Sequence, residues 1–300
     1  TFQRVVESIP DAELNITLRD NRLVVSGNKA KFELSTEDAR DFPPIRKFDV
    51  NGRFVQLIST DFVNLLRRVV FFAHTDYSIH NMHGVLFKLK QDRLHIVGTN
   101  GQRLGVASAQ IKATIGYGAD GPSESSIVPA KALEIFSKLP IEAELIDIQC
   151  GNKSISVRSD AIELTITTIS GQYVPYERGI PNNKKLLRIQ RKRLVELLKQ
   201  SLALKTSGDT FIDLSLATGS LTLKSTVKDV GAAEISDDAE WGHGKLSIYI
   251  DPQFLLDSAQ SMSSDYVIFE FGGQMDQTLI REECDNGLQN MGIFSVVREP

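Results

Sequence analysis

The side chains with the greatest potential for chemistry are five histidines and two cysteines, spread along a chain of 300 residues. His80 and His83 are close enough in sequence to share a metal ion, but no nearby cysteine or pair of carboxylates completes a metal site. The sequence has neither a glycine-rich phosphate loop ending in Lys-Ser/Thr nor a G-x-S-x-G nucleophile motif. Glu282 and Glu283 are adjacent carboxylates in a charged run typical of exposed surface. We therefore predict a protein that is not an enzyme and uses no metal or cofactor.

A second feature with chemical potential is the segment from Val97 to Val106, VGTNGQRLGV. Its Asn-Gly pair between apolar flanks predicts a tight β-hairpin. Directly after the turn, Arg103 offers charge-assisted hydrogen bonds and Leu104 offers apolar surface. Such a pair suits a binding site, and a plain hairpin with a solvated arginine is the alternative.

Composition and charge limit the class of protein. Hydrophobic residues make up 41% and charged residues 24% of the chain, which is typical of a globular protein. Cys150 and Cys284 are each alone in their segments, which excludes a disulfide framework or a four-cysteine zinc site and favours a reducing, cytoplasmic setting. No apolar run approaches the length of about 18 residues that spans a bilayer, so no membrane is expected as a partner. With a net charge of -4 and a pI near 5.8, any contact with DNA must come from a local basic face.

The elements that must position these residues are repeated along the chain. TFQRVVESIPDAELNI, from Thr1, matches KALEIFSKLPIEAELI, from Lys131, since each has helically spaced apolar residues, a proline stop and an Ala-Glu-Leu that opens a strand. RFVQLISTDFVNLLRRVV, from Arg53, matches KLLRIQRKRLVELLKQSL, from Lys185, and each is a strand that runs into a helix. IDPQFLLDSAQSM, from Ile250, is a weaker copy of the first kind. Chance similarity between helix-and-strand segments is the alternative explanation.

The order of these half-modules predicts tandem domains. Two complete pairs, each of about 130 residues, follow one unpaired half-module. We expect an α+β fold with boundaries at 1–52, 53–182 and 183–300. Because the opening half-module lacks its partner, we predict that the chain is an N-terminally truncated fragment.

Within this repeated arrangement, the turn that contains Asn100 and Gly101 can be compared with a known family. Thr99-Asn100-Gly101-Gln102-Arg103-Leu104 resembles the T-D-G-H-R-L turn of the bacterial DNA polymerase III β subunit family, the sliding clamps. Further segments resemble that family in the same order: FFAHTD, HGVLFKL, SSIVPAKALE and ISGQYVPYERGIP. The end of the family's first domain is resembled by FELSTEDARDFPPI. The resemblance covers the whole chain. It implies the DNA-clamp fold, with antiparallel sheets outside and helices inside a ring, and a processivity factor that encircles double-stranded DNA in the cytoplasm, at the nucleoid.

The resemblance also implies protein partners. DNA polymerase III α, other polymerases, the clamp loader and repair proteins dock through short linear motifs, in a pocket between the middle and last domains. Two full-length subunits form a homodimer through contacts between the first domain of one and the last domain of the other. Because the first domain is incomplete here, we predict a monomer. The alternative is a repeat-built scaffold for protein interactions without a DNA role.

By the same resemblance, the hairpin, two loops and the terminal strand form the peptide pocket. The predicted peptide-binding residues are Met82, Thr99, Gly101, Gln102, Arg103, Leu104, Val174, Arg178, Met275, Gln277, Val296 and Val297. Arg103 is predicted to hold a carbonyl or carboxylate of the peptide, whereas the two methionines could equally be core filler. Val174 replaces the usual proline and the chain ends SVVREP instead of V-M-P-M and a basic residue, so the preferred peptide is expected to differ.

The clamp resemblance directs the polar faces of the helices toward DNA. Arg67 lies off the apolar stripe of its helix, and Lys199 is its equivalent in the second copy. A repeated cationic face suits sequence-independent attraction to phosphates. The predicted DNA-facing residues are Arg4, Arg67, Arg68, Lys131, Lys138, Lys192, Arg193 and Lys199. The alternative is an ordinary solvated helix face.

Overall fold

The computed structural model describes residues 1–11, 13–42, 44, 46–74, 81–160, 162–204, 211–274, 276–283 and 289–295. The chain divides into two compact units, Thr1–Arg46 and Lys47–Pro300. Both combine antiparallel sheets with short helices, which confirms the predicted α+β class. Within the described residues, no helix is long and apolar enough to cross a membrane.

The first unit is a short helix packed on a three-stranded sheet. It comprises α1 (Phe2–Ser8), β1 (Asn15–Arg19), β2 (Arg22–Ser26) and β3 (Lys31–Ser35), in the strand order β1-β2-β3. Asp20 and Asn21 connect β1 to β2 with positive φ angles, as a two-residue hairpin turn requires. The predicted helical spacing is confirmed, because Val5 and Ile9 pack against Val25 of the sheet.

Within its described residues, the second unit repeats one scheme four times: a strand, a helix and three further strands. The first copy contains β4 (Phe54–Ile58), α2 (Ser59–Val69), β5 (Gly84–Lys90), β6 (Arg93–Thr99) and β7 (Arg103–Gln110), and a short β8 (Ala113–Ile115) follows it. The second copy contains β9 (Ser125–Pro129), α3 (Ala130–Phe136), β10 (Leu145–Cys150), β11 (Ser154–Arg158) and β12 (Glu163–Thr167).

The third and fourth copies follow the same scheme. The third contains β13 (Lys185–Gln190), α4 (Arg191–Ser201), β14 (Ile212–Ala217), β15 (Ser220–Val227) and β16 (Gly231–Asp238). The fourth contains β17 (Leu246–Ile250), α5 (Pro252–Ser261), β18 (Tyr266–Phe271), β19 (Thr278–Glu282) and β20 (Gln289–Phe294). Short 3-10 helices lie at Ala39–Asp41, Val70–Phe72 and Tyr176–Gly179.

The second and fourth copies differ from the sequence prediction, which placed no strand before their helices. Both have one, β9 and β17, because each copy contributes its first strand to the sheet of its neighbour. Strand β9 pairs with β5 while β4 pairs with β10, and β17 pairs with β14 while β13 pairs with β18. This reciprocal exchange joins the copies in pairs.

The helices form where apolar residues recur at helical spacing. In α2, the side chains of Phe62, Leu65, Leu66 and Val69 are fully buried in one apolar cluster with the surrounding strands. At the start of α5, the carboxylate of Asp251 accepts a hydrogen bond from the backbone N–H of Gln253 at 2.8 Å, which satisfies a donor that the helix itself leaves unpaired.

One sheet runs through the whole second unit. Strand β20 pairs with β7, so eight strands are joined in the order β13-β18-β19-β20-β7-β6-β5-β9. The register sets Ile293 opposite Leu104 and Phe294 opposite Arg103. The helices contact one another in the order α3-α2-α5-α4, so the two pairs of copies meet both through the sheet and through the helices.

Candidate functional site

The turn between β6 and β7 is held by its own polar side chains. The carboxamide oxygen of Asn100 accepts hydrogen bonds from the backbone N–H groups of Gln102 and Arg103, each at 3.0 Å. The hydroxyl of Thr99 donates to the carbonyl of Arg103 at 2.7 Å and accepts from the N–H of Gly101 at 3.1 Å. Thr99 pairs with Leu104 across the hairpin, so the loop is longer than the two-residue Asn-Gly turn that the sequence predicts.

Gly101 is needed in this turn for its backbone conformation. Its φ angle is +90°, which side chains of L-residues rarely adopt. An added methyl group would meet only the sulfur of Met82 at 3.9 Å, so conformation and not space requires glycine. The turn therefore lies directly beside Met82, as the site prediction expects.

A cavity of about 220 Å³ opens against this turn. It collects residues from five separate parts of the sequence, and they include eight of the predicted peptide-binding residues. Its lining consists of Met82, Thr99, Gly101, Gln102, Arg103, Leu104, Val174, Pro175, Tyr176, Gly179, Gln277 and Ile293. Apolar walls with a few polar groups are the usual composition of a site for a small ligand or a peptide side chain.

Leu104 and Arg103 differ in their relation to this cavity. Leu104 is buried in an apolar cluster on one face of the eight-stranded sheet. Successive residues of a strand point to opposite faces, and Arg103 points to the helix side. There its guanidinium lies 3.6 Å from the ring centroid of Phe254 in α5. Arg103 borders the cavity, but its guanidinium lies on the helix side, so its role as a hydrogen-bonding anchor for the peptide stays a prediction.

Charge and burial at Arg103 agree with this orientation. Its guanidinium also lies 5.9 Å from the ring centroid of Phe71 and 5.8 Å from that of Phe72. Burial lowers the pKa of Arg103, and the carboxylates of Asp257 and Asp251 partly oppose that effect. Aromatic faces attract a cation, so the guanidinium is stabilised on the helix side of the sheet while the residue also borders the cavity.

The loop that contains Val174 forms the opposite wall. The hydroxyl of Tyr173 donates to the carbonyls of Gly84 and Val97, at 3.3 and 3.2 Å, which holds the loop on the sheet. Tyr176 packs on the same apolar cluster, and burial raises its pKa to about 12. Arg178 is exposed in the adjacent 3-10 helix and does not line the cavity, so the structure does not bring it into the predicted pocket.

The last part of the lining comes from the far end of the chain. Gln277 is held through its carbonyl, which accepts a hydrogen bond from the side chain of Asn183 at 2.8 Å. The backbone N–H of Ser295 donates to the carbonyl of Gln102 at 3.0 Å, so β20 leads to the turn. Three predicted residues, Met275, Val296 and Val297, lie outside the described residues.

Four lining residues were not predicted: Pro175, Tyr176, Gly179 and Ile293. The first three lie within the motif GQYVPYERGIP, so the aromatic and glycine positions of that motif were an available signal. Ile293 enters the cavity wall only because β20 pairs with β7, and no local pattern in the sequence indicates that pairing.

The predicted cationic helix face is present in part. Five of the predicted cations are exposed: Arg67 on α2, Lys131 on α3, Lys138 just after α3, and Lys192 and Lys199 on α4. The ammonium groups of Lys131 and Lys138 lie beside Glu134 and lower its pKa to about 2. The other predicted cation of α4, Arg193, is half-buried and contacts Asp237 at 2.7 Å. Arg4 is exposed on α1, in the other unit.

The prediction that Arg68 faces DNA is wrong. Its side chain is 2% exposed and forms an ion pair with Glu282, which is 1% exposed, with 3.0 Å between Nη1 and Oε2. The guanidinium also donates to the hydroxyl of Ser263 at 2.8 Å and to the carbonyl of Ser261 at 3.2 Å. Arg68 thus connects α2 to the end of α5 and to β19.

The described histidines belong to no cluster that could hold a metal ion. Among the described residues, no group of three or more His, Cys, Asp or Glu side chains could hold a metal ion. His83 and His74 line a cavity of about 630 Å³ between α2 and α3, together with Arg67 and Lys131. His80, which is close to His83 in sequence, lies outside the described residues.

Two family models match the chain. The model of the DNA polymerase III beta subunit, central domain, matches residues 56–175. The model of the DNA polymerase III beta subunit, C-terminal domain, matches residues 178–293. Together the two matches include every residue of the cavity lining except Tyr176, and four of the five helices.

Individual relatives agree with the family models. The beta sliding clamp of Salmonella typhimurium is 26% identical over 276 residues, which are 89% of this chain and 72% of the relative. The crystal structure of the sliding clamp from Bacillus subtilis superposes with a TM-score of 0.85 at 22% identity, covering 100% of this chain and 78% of that one. A Pseudomonas aeruginosa clamp bound to griselimycin has a TM-score of 0.81 at 23% identity, covering 99% and 79%. These likenesses confirm the predicted clamp fold.

Proposed function

The chain belongs to the DNA polymerase III beta subunit family, and on that basis we propose that it is a processivity factor whose turn-side cavity binds peptides of replication and repair proteins. The DNA polymerase III α subunit, other polymerases and the clamp loader are the expected classes of partner. Double-stranded DNA is the expected second partner, encircled when two complete subunits close a ring. The protein tethers its partners and catalyses no reaction.

The observation that carries the proposal is the convergence of distant segments on one cavity. One cavity of about 220 Å³ is lined by the turn at Gly101, the loop at Val174, Gln277 and the end of β20. This volume is below the usual range of about 300–1,000 Å³ for drug-sized ligands, so it suits one or two apolar side chains of a peptide. We propose domain limits of 53–182 and 183–300, which place the cavity between two domains.

The arrangement of the helices supports the DNA part of the proposal. Helices α3, α2, α5 and α4 are successive neighbours, and exposed cations such as Arg67, Lys192 and Lys199 lie on two of them. Lysine and arginine on a helix layer attract phosphates without reading bases.

Peptide binding is tested with fluorescence anisotropy. A labelled peptide with glutamine, a spacer, leucine and phenylalanine is titrated with the wild-type protein and with Leu104→Ala. Because Leu104 lines the cavity, we expect at least about tenfold weaker binding, equivalent to about 1.4 kcal/mol.

Leu279→Ala is the matched control, since Leu279 is a buried leucine of the same apolar cluster that does not line the cavity. We expect it to lower stability as Leu104→Ala does but to keep the affinity for the peptide. Equal loss of affinity in both variants would show that general destabilisation causes the effect. Absence of binding by the wild-type protein would contradict the proposed peptide site.

A further inference from the structure

The outer surface of β5 and β6 carries a group of basic side chains that the proposed peptide pocket does not use. On β5, Val85, Phe87 and Leu89 face the helix-side core, so the alternate residues Lys88 and Lys90 face outward. By the same alternation, Arg93 and His95 face outward on β6. We call these four residues the cationic patch.

Strand register makes the patch compact. Lys88 lies opposite His95, and Lys90 lies opposite Arg93, in the antiparallel pair β5–β6. Directly opposite residues have Cβ atoms about 4.5–5.5 Å apart, and their side chains share one face of the sheet. Arg93 is oriented by hydrogen bonds to the hydroxyl and carbonyl of Ser108 on β7. The four basic groups therefore form a two-by-two block.

The patch is connected to the peptide cavity by one wall. Val174, Pro175 and Tyr176 line the cavity beside the turn and also a second cavity of about 540 Å³. Lys88 lines this second cavity, and its ammonium group lies 5.7 Å from the ring centroid of Tyr176. An extended peptide that leaves the first cavity over Tyr176 reaches Lys88 within about two residues, because each extended residue spans roughly 3.3–3.6 Å.

Positive charge exceeds negative charge at this position. Glu177 contacts Lys88 at 2.8 Å, but that pair is half exposed and of low strength. Asp92, in the β5–β6 turn, is a second carboxylate in this region. Burial lowers the pKa of His95, and Arg93, Lys88 and Lys90 lower it further while Asp92 raises it. The field at His95 is therefore set mainly by the surrounding cations.

We propose that the cationic patch binds acidic residues that flank the docking motif of a partner peptide seated in the turn-side cavity. The inference rests on the proposed peptide-binding function and adds a preference for glutamate and aspartate beside the motif. Charge complementarity and the shared wall at Tyr176 support this occupant. Nucleic acid is the other polyanion to consider, but the patch is on the sheet face opposite the helix-side core.

The test compares labelled peptides that share the glutamine–leucine–phenylalanine motif. One carries three glutamates on its N-terminal side, one carries them on its C-terminal side, and matched peptides carry glutamines instead. At low salt we expect one glutamate peptide to bind about 3- to 10-fold more tightly than its glutamine match. Because screening weakens exposed charge pairs, this gain should shrink at high salt.

The variant Lys88→Gln/Lys90→Gln should remove the gain while keeping the affinity for the glutamine peptides. Lys228→Gln, an exposed lysine in the β15–β16 turn on another sheet, is the matched control and should retain the gain. As a spectroscopic readout, a bound glutamate should raise the pKa of His95, measured by NMR titration of its imidazole.

The outcomes separate the two proposals. If glutamate and glutamine peptides bind equally well, the acidic-flank inference is overturned and the peptide site stands. If no motif peptide binds, the proposed function itself fails. If the double variant weakens binding of duplex DNA and leaves all peptide affinities unchanged, the patch serves nucleic acid and the inference is overturned.

Discussion

Arg103 and Leu104 are consecutive residues of β7, and the alternation of the strand directs them to different sites. Leu104 belongs to the apolar cluster beside the cavity. Arg103 lies on Phe254, and its Nε has no hydrogen-bond partner among the described residues. The guanidinium is thus stabilised mainly by aromatic faces, and it connects the turn to α5.

At the residue scale, we predict a measurable coupling between Arg103 and Phe254. A cation over an aromatic ring contributes about 0.5–2 kcal/mol, more when it is desolvated. Arg103→Met should lower the free energy of unfolding by an amount in this range, and Phe254→Leu should make the same loss smaller. The measurement is a double-mutant cycle by urea denaturation.

Peptide affinity provides the second readout for Arg103. Since the guanidinium is directed to the helix side, Arg103→Met should bind the motif peptide as the wild-type protein does. A tenfold loss of affinity, or strictly additive stabilities in the cycle, would contradict the orientation described for this side chain.

At the scale of elements, equivalent positions of two repeated helices differ in burial because the helices have different neighbours, and Arg68 is an example. Its equivalent on α4 is Gln200, which is exposed. Helix α2 has neighbours on both sides, α3 and α5, whereas the main helix neighbour of α4 is α5. The second neighbour covers Arg68 and supplies Ser261 and Ser263 as hydrogen-bond acceptors.

We predict that breaking the Arg68–Glu282 pair is strongly destabilising. Removal of one member leaves an uncompensated buried charge, which costs about 3–5 kcal/mol. Arg68→Met and Glu282→Gln should each lower the free energy of unfolding by this amount, measured by urea denaturation. Arg68→Met/Glu282→Leu should recover part of the loss, because neither charge then remains buried.

The exposed pair of Lys138 and Glu134 is the control for this prediction. Lys138→Gln should change the free energy of unfolding by less than about 1 kcal/mol, as is usual for surface pairs. Equal effects of Arg68→Met and Lys138→Gln would show that the buried pair does not stabilise the junction between α2 and β19.

At the scale of the whole molecule, charge distribution matters more than net charge. The chain carries a formal net charge of -4, yet exposed cations recur on the helix layer. A strongly basic ring would hold phosphates tightly, whereas a few local cations allow weak contacts that form and break. The overall acidity is therefore compatible with a protein that moves along DNA.

We predict weak, sequence-independent binding of duplex DNA that falls steeply with salt. Each phosphate contact contributes about 0.9 to the slope of log K against log[salt]. Arg67→Gln/Lys192→Gln/Lys199→Gln should reduce the slope by up to about 2.7 if all three cations contact phosphate. Lys228→Gln, outside the helix layer, should leave it unchanged, and an unchanged slope in the triple variant would refute the DNA-facing assignment.

Much of the fold was predictable because its signals are local. The apolar stripe of α2 and its repeat in α4 predict both helices, and the Thr99–Leu104 turn owes its shape to the side chain of Asn100 and the positive φ of Gly101. Predictions failed where a strand is recognised only through its partner, as with β9 and β17, which belong to the sheets of neighbouring copies.

The repeat and the turn follow from the amino-acid sequence alone, because periodicity and turn chemistry act over a few residues. Eight of the twelve residues that line the cavity were expected from the resemblance to the clamp family. Three features depend on tertiary packing: Arg103 lies against Phe254, Arg68 is buried against Glu282, and Ile293 forms part of the cavity wall. Each of these depends on a contact between residues far apart in the chain, through the pairing of β20 with β7 or the packing of α2 beside α5. The sequence gives the type of each side chain, but the residue that it contacts depends on which helices and strands pack together.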